Sequence, residues 1–105
     1  MIVKANDGKK KEFHGVTFEV LAVGPQSMIT KMIYKLENKV PFHTHPNEQD
    51  GYVVSGKYKI CIDSTEETIQ TGDSYAIPGH VQHSLEVIEP GIVIDVFTPP
   101  RQDYL

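Results

Sequence analysis

Apolar and polar residues alternate along most of this 105-residue chain, and turn-forming residues interrupt the alternation at short intervals. In the run 28–37, for example, the methionines and Tyr34 fall on one face, whereas the lysines fall on the other. Side chains of a β-strand point to opposite faces in turn, so this pattern is typical of a strand with one buried face. The sequence therefore predicts many short antiparallel strands and almost no helix.

Turn residues delimit about nine predicted strands. These cover residues 15–23, 28–37, 40–45, 51–55, 57–63, 67–70, 74–78, 81–87 and 92–97. Without a helix for a parallel crossover, the economical architecture is an all-β closed barrel or sandwich. The length suits a single domain over residues 1–105, with a barrel core at about 15–98. The first dozen and the last eight residues are polar or proline-bound, so we expect both segments on the outside or at a dimer interface.

The charge balance and the single cysteine restrict the classes of partner. Ten Lys and Arg residues against fourteen Asp and Glu residues give a net charge of −4, which argues against nucleic-acid binding. The first residues contain no apolar run of the length that a signal peptide or a membrane span requires. Cys61 cannot form an internal disulfide, and a packed strand cysteine suits a reducing compartment. We therefore expect a cytoplasmic protein that binds neither nucleic acid nor membrane.

Three of the five histidines have a spacing that suits a metal site. His43 and His45 are two residues apart on an extended segment, so both side chains leave the same face of the strand. His83 arrives from a separate segment, after the Pro78-Gly79 turn. Neutral imidazole is a common ligand for transition metals, although a pair of exposed histidines on a strand would give the same local pattern.

A fourth ligand is expected four positions beyond His45. Gln49 has an odd number, like His43 and His45, so in an extended segment its side chain shares their face. The neighbouring Glu48 would point to the opposite face unless the loop changed the direction of its side chain. Glu48 is the rival because carboxylates are also common ligands. The alternation favours Gln49, and three imidazoles with one amide would leave the full positive charge on the metal, which favours Lewis-acid chemistry.

Two segments resemble the motifs of the cupin family. Residues 43–56 have the first motif's order: HxH, three residues, an acid or amide, six residues and glycine. Residues 72–83 resemble the second motif: glycine, five residues, proline, then histidine five positions later. The resemblance covers roughly residues 15–100 and implies a jelly-roll β-barrel that binds one divalent transition metal per chain, of the set Zn, Ni, Mn, Fe or Cu. It implies His43, His45, Gln49 and His83 as ligands.

The sequence departs from the usual cupin motifs at three positions. Gln49 stands where many cupins have Glu, His80 where the second motif often has Gly, and Val87 where Asn is frequent. None of these changes removes an expected ligand. We interpret His80 as a turn residue at the barrel rim and His14 as a surface residue.

The C-terminal segment contains a buried acid. Both faces of the strand 92–97 are apolar apart from Asp95, and Arg101 follows the Pro99-Pro100 turn closely enough to return toward the same opening. An acid that moves a proton and a guanidinium that binds a carboxylate would suit a sugar-acid substrate near the metal. The alternative is an Asp95–Arg101 ion pair that only holds the tail in place.

This tail, with Gln49 and the run 52–57, is similar to that of the KdgF-type cupins of pectin and alginate breakdown, which convert cyclic unsaturated uronates to linear keto sugars. The resemblance implies Asp95 as the proton-transfer group and assigns substrate binding to Phe97 and Arg101. A non-catalytic ligand-binding or sensor cupin and a metal-dependent dioxygenase are the alternatives. The small barrel and its polar ends also predict a homodimer.

Overall fold

Ten strands and one turn of 3-10 helix make up the computed structural model, which describes residues 1–105. The strands are β1 (Lys9–Phe13), β2 (Val16–Val23), β3 (Met28–Tyr34), β4 (Lys39–His43), β5 (Glu48–Val53), β6 (Lys57–Ile62), β7 (Thr65–Gln70), β8 (Ser74–Ile77), β9 (His83–Glu89) and β10 (Gly91–Thr98), and the 3-10 turn is Gln102–Tyr104. Fully and partly buried residues alternate without exception along β3, as the period of two predicts. No helix in the structure is long and apolar enough to cross a membrane.

The strands form two antiparallel sheets. One has six strands in the order β1-β2-β3-β10-β5-β8, and the other has four in the order β4-β9-β6-β7. Inward side chains of both sheets form one cluster of 17 buried hydrophobic residues. The predicted all-β class is confirmed. Because β10 lies between β3 and β5, its inward side chains reach the middle of the barrel.

Most strand bounds differ by a few residues from the sequence prediction, and three differences bear on the sheets. No strand was predicted before residue 15, but the lysines of β1 pair with β2 at a sheet edge, where solvent still reaches their charges. β3 ends at Tyr34, which leaves Leu36 outside the strand and 60% exposed. β5 begins at Glu48 instead of residue 51, because its backbone pairs with β10 from Glu48 and with β8 from Gln49.

Two residues of the C-terminal segment, Arg101 and Tyr104, lie in the barrel's interior, whereas the segment as a whole was expected on the outside or at a dimer interface. After the Pro99-Pro100 turn the chain folds back, so that Arg101 is 5% exposed and Tyr104 is 4% exposed. The Tyr104 ring packs 4.5 Å from Phe18 and 5.6 Å from Phe97, measured between ring centroids. Aromatic burial at Tyr104 therefore outweighs the polarity of the surrounding residues and closes this end of the barrel.

Candidate metal centre and cavity

The three predicted histidine ligands meet at one point. His43 ends β4 and pairs directly with His83, the first residue of β9, whereas His45 follows β4 in the next loop. Their ligand nitrogens all lie within 4.8 Å of one another. His45 and His83 are buried and His43 is partly buried. The strand pairing therefore brings together the two segments that the sequence predicted would converge.

Backbone carbonyls determine which nitrogen of each imidazole is free. Nδ1 of each ring lies 2.8–3.0 Å from the carbonyl oxygen of a residue two positions away. A carbonyl oxygen only accepts, so Nδ1 carries the hydrogen and the Nε2 lone pair of a neutral ring is left free. Nε2 of His83 is buried without a hydrogen-bond partner. Three neutral imidazoles thus present unprotonated nitrogens, as a metal site requires.

Burial keeps these rings neutral. It lowers the pKa of His83 to about 4 and also lowers the pKa values of His43 and His45. The neighbouring imidazoles and the Arg101 guanidinium act in the same direction on His83. Because metal and proton compete for the same nitrogen, a lowered pKa leaves the ligand available at neutral pH.

Gln49 completes a set of four neutral donors. Its Oε1 atom lies 3.0 Å from Nε2 of His45. With the hydrogen of His45 on Nδ1, both atoms carry lone pairs, and a cation bound by both would stabilise this arrangement. Glu48 is exposed, whereas Gln49 lines the internal cavity, as its register predicted. The residues present therefore fit a divalent transition metal.

Asp95 is buried in the centre of β10 and is 1% exposed. Burial raises the pKa of its carboxyl from 3.8 to about 6, although hydrogen bonds from Tyr75 and Gln49 lower it again in part. The Tyr75 hydroxyl donates to Asp95 Oδ1 at 2.6 Å. The Gln49 side chain therefore hydrogen-bonds the imidazole cluster and also lowers the pKa of the buried acid. A carboxyl with a pKa of about 6 can both hold and release a proton near neutral pH.

One cavity of about 30 Å³ connects these groups. Its lining includes six of the seven predicted site residues, namely His43, Gln49, His83, Asp95, Phe97 and Arg101. The seventh, His45, packs beside it with its ring 5.7 Å from that of Phe97. His14 and His80 lie in exposed turns, as expected.

Arg101 does not form the ion pair with Asp95 that the sequence left open. Its Nε and Nη2 atoms donate to the two carboxylate oxygens of Asp103 at 3.1 and 2.6 Å, and Nη1 donates to the Tyr104 hydroxyl at 3.0 Å. The guanidinium also lies 4.0 Å from the Tyr104 ring centroid and 5.3 Å from that of Phe97. The hydrogen bond from Arg101 lowers the pKa of Asp103. Two of the five guanidinium N–H groups are left for a ligand.

Sequence reasoning missed Tyr75, Asp103 and Tyr104. Tyr75 lies two positions before the inward Ile77 on β8, so the two side chains share one face, and the period of two could have shown that Tyr75 points inward. Its contact with Asp95 could not, because β5 lies between their strands. The roles of Asp103 and Tyr104 depend on the chain folding back after Pro100, which no local pattern indicated.

Comparison with known proteins places this geometry in a family. Residues 31–97, more than half of the chain, match the model of the cupin domain. The chain is 32% identical over 65 residues to the pectin degradation protein KdgF of Dickeya dadantii, which covers 60% of this chain and 59% of that relative's length.

Two solved structures are similar over nearly the whole chain. An RmlC-like cupin from Shewanella frigidimarina superposes with a TM-score of 0.92 at 26% identity, covering 99% of this chain and 95% of that one. KdgF from a Halomonas species superposes with a TM-score of 0.90 at 25% identity, covering 100% and 98% of the two chains. The predicted jelly-roll barrel is thereby confirmed, and the chain belongs to the cupin family.

Proposed function

We propose that this chain is a metal-dependent enzyme that converts a cyclic unsaturated uronate to a linear keto sugar. The observation that carries the proposal is the cavity itself, in which a cluster of neutral donors faces a buried carboxyl and a guanidinium. The similarity to two proteins named KdgF, one of them named for pectin degradation, supports this class of substrate.

The metal would be held by His43, His45, Gln49 and His83. When bound, it supplies a Lewis acid that polarises an oxygen of the substrate. The four donors are neutral, so they leave its positive charge undiminished. We propose one divalent ion per chain, from the set Zn, Ni, Mn, Fe or Cu, because the chain offers one such donor set.

The proposed reaction is an isomerisation, so it needs a proton to move and no electrons. The ring C–O bond of the cyclic enol ether breaks as the anomeric hydroxyl loses its proton, and a carbon of the double bond gains one as the enol becomes a ketone. Asp95 is the group we assign to this transfer, because its pKa of about 6 suits both steps near neutral pH.

Substrate binding is assigned to Arg101 and Phe97. The two unused N–H groups of Arg101 can bind the uronate carboxylate, and its side chain is held in place by Asp103 and three aromatic rings. Phe97 is 1% exposed and forms an apolar wall beside His45. A cavity of about 30 Å³ would hold only the reacting group of the sugar.

The test is turnover of unsaturated uronate released from pectin by a polysaccharide lyase. Purified metal-loaded protein should abolish the ultraviolet absorbance of the conjugated double bond and give a linear keto product by NMR. His83→Ala should lose this activity together with the metal. A protein that holds its metal but leaves the absorbance unchanged would contradict the proposal.

Two other functions use the same site differently. In a ligand-binding or sensor cupin, calorimetry would detect uronate binding without turnover. In a dioxygenase, the protein would consume oxygen when a substrate is added. The raised pKa of Asp95 favours the proton-transfer enzyme, because neither alternative needs a buried acid beside the donors.

We further propose a cytoplasmic homodimer with a small-molecule substrate and neither nucleic-acid nor membrane partners. The outer face of the six-stranded sheet supports a dimer, because its apolar side chains are only partly covered in the single chain. These are Ile29, Ile33, Tyr52, Val54, Ile92, Ile94 and Val96, of which Tyr52 is 51% exposed and Val54 is 43% exposed. The negative net charge argues against nucleic acid.

A further inference from the structure

A row of four residues in register across the six-stranded sheet contains the buried acid. Asp95 of β10 pairs with Thr30 of β3 on one side and with Gly51 of β5 on the other, and Gly51 pairs with Tyr75 of β8. Paired residues point to the same face of a sheet, which here is the barrel interior. Tyr75 is therefore two strands from Asp95, a gap of about 10 Å between backbones.

Gly51 lets Tyr75 cross this gap. A Cβ atom at position 51 would overlap the Cζ and hydroxyl atoms of Tyr75, so the phenol ring occupies the space that any side chain there would fill. The ring passes over the β5 backbone, and its hydroxyl donates to Asp95 Oδ1 at 2.6 Å. A hydrogen bond of this length to a carboxylate is of the strong, charge-assisted kind.

Few other side chains fix the orientation of the Asp95 carboxyl. The hydroxyl of Thr30, on the opposite side of the row, is buried without a hydrogen-bond partner. Arg101 is engaged by Asp103 and Tyr104. The side-chain oxygen of Gln49 is directed to Nε2 of His45, 3.0 Å away. Tyr75 is therefore the partner of Asp95 that belongs to none of the metal-donor or substrate-binding groups.

We propose that Tyr75 is a positioning residue for the reaction, holding the Asp95 carboxyl through Oδ1 in the orientation that exchanges a proton with substrate. The proposal rests on the proposed function, in which Asp95 transfers that proton. Gly51 belongs to the same arrangement, because only a residue without a side chain leaves room for the phenol.

The first test is Tyr75→Phe, which removes one oxygen atom and leaves the ring in place. We expect kcat to fall about 10-fold or more while KM and metal content stay unchanged, because the lost bond serves a group that acts in the transition state. In an Asp95→Asn background the same change should have no further effect on kcat.

Tyr58→Phe is the matched control. Tyr58 is fully buried, and its hydroxyl donates to the Ser55 carbonyl at 2.8 Å, away from the cavity lining. The Tyr58→Phe variant therefore loses a phenol hydrogen bond, as Tyr75→Phe does, but its kcat should stay at the wild-type value. Gly51→Ala is a second variant, in which the added methyl group displaces the phenol and should reproduce the kcat loss of Tyr75→Phe.

A spectroscopic measurement reports the contact without turnover. In protein labelled with ¹³C at aspartate Cγ, the Asp95 resonance is identified by its loss in Asp95→Asn, and it should move in Tyr75→Phe and Gly51→Ala but not in Tyr58→Phe.

If wild-type protein turns over uronate and Tyr75→Phe matches Tyr58→Phe in kcat and in this resonance, the positioning role is wrong. If the effects of Tyr75→Phe and Asp95→Asn multiply, Tyr75 acts independently of Asp95, which also overturns it. Wild-type protein that is inactive on uronate overturns the proposed function itself, and this assignment with it.

Discussion

Asp95→Asn should alter the pH dependence of stability as well as the rate. The pKa of Asp95 is about 6 in the folded protein, against an ordinary value of 3.8. Between these values the folded protein keeps a proton on Asp95 that the unfolded chain releases, so the contribution of Asp95 to the wild-type free energy of unfolding falls as the pH rises. Each pH unit is worth about 1.4 kcal/mol, so this interval corresponds to about 3 kcal/mol.

The variant lacks this dependence because an amide does not titrate. Relative to wild type, Asp95→Asn should therefore gain about 3 kcal/mol of unfolding free energy between about pH 4 and about pH 7. The histidines titrate in both proteins and cancel in the difference. Turnover should nevertheless fall by roughly 100-fold, since the transferable proton is lost.

The assay is urea unfolding of metal-free wild type and variant across this pH range, with turnover measured on metal-loaded samples of the same preparations. Adding metal should shrink the stability difference, because a nearby cation favours the ionised carboxyl. A difference that stays constant with pH would refute the claim that Asp95 is a buried, unfavourably ionised group. An Asn variant that is fully active would remove Asp95 from the mechanism.

Four further outcomes follow from the same contacts. Asp103→Asn should raise KM several-fold with little change in kcat, measured by steady-state kinetics, because it releases one side of the Arg101 guanidinium. Metal analysis should find close to one transition metal ion per wild-type chain and almost none in a His43→Ala, His83→Ala double variant. Relative to metal-free His83→Ala, metal-free wild type should lose unfolding free energy as the pH falls from 6.5 toward about 4 in urea titrations, because the unfolded His83 imidazole takes up a proton that the folded one does not. Phe97→Ala should lower the unfolding free energy by about 3–5 kcal/mol in urea titrations, since the ring is buried in the core.

The local alternation of side chains made much of the site predictable. His43, His45 and Gln49 were assigned to one shared face from a period of two, and each lies at or beside the cavity, although His45 lies in the loop after β4. This worked because the direction of a side chain on a strand depends only on its own backbone. The presence of most strands was predictable for the same reason. The edge strand β1 was missed because none of its residues is fully buried, so its sequence shows no apolar face.

Contacts between segments distant in sequence were decided by the tertiary structure alone. The sequence predicts that Asp95 is buried, but only the strand order β10-β5-β8 places Tyr75 two strands away, with Gly51 between them. Arg101 pairs with Asp103 and not with Asp95, the alternative that the sequence left open, because the chain folds back after Pro100 and buries Tyr104. Such pairings depend on which strands become neighbours and on how the end of the barrel is closed. The order of the strands and the closure of the barrel depend on how the whole chain buries its apolar side chains, so no local pattern in the sequence predicts them.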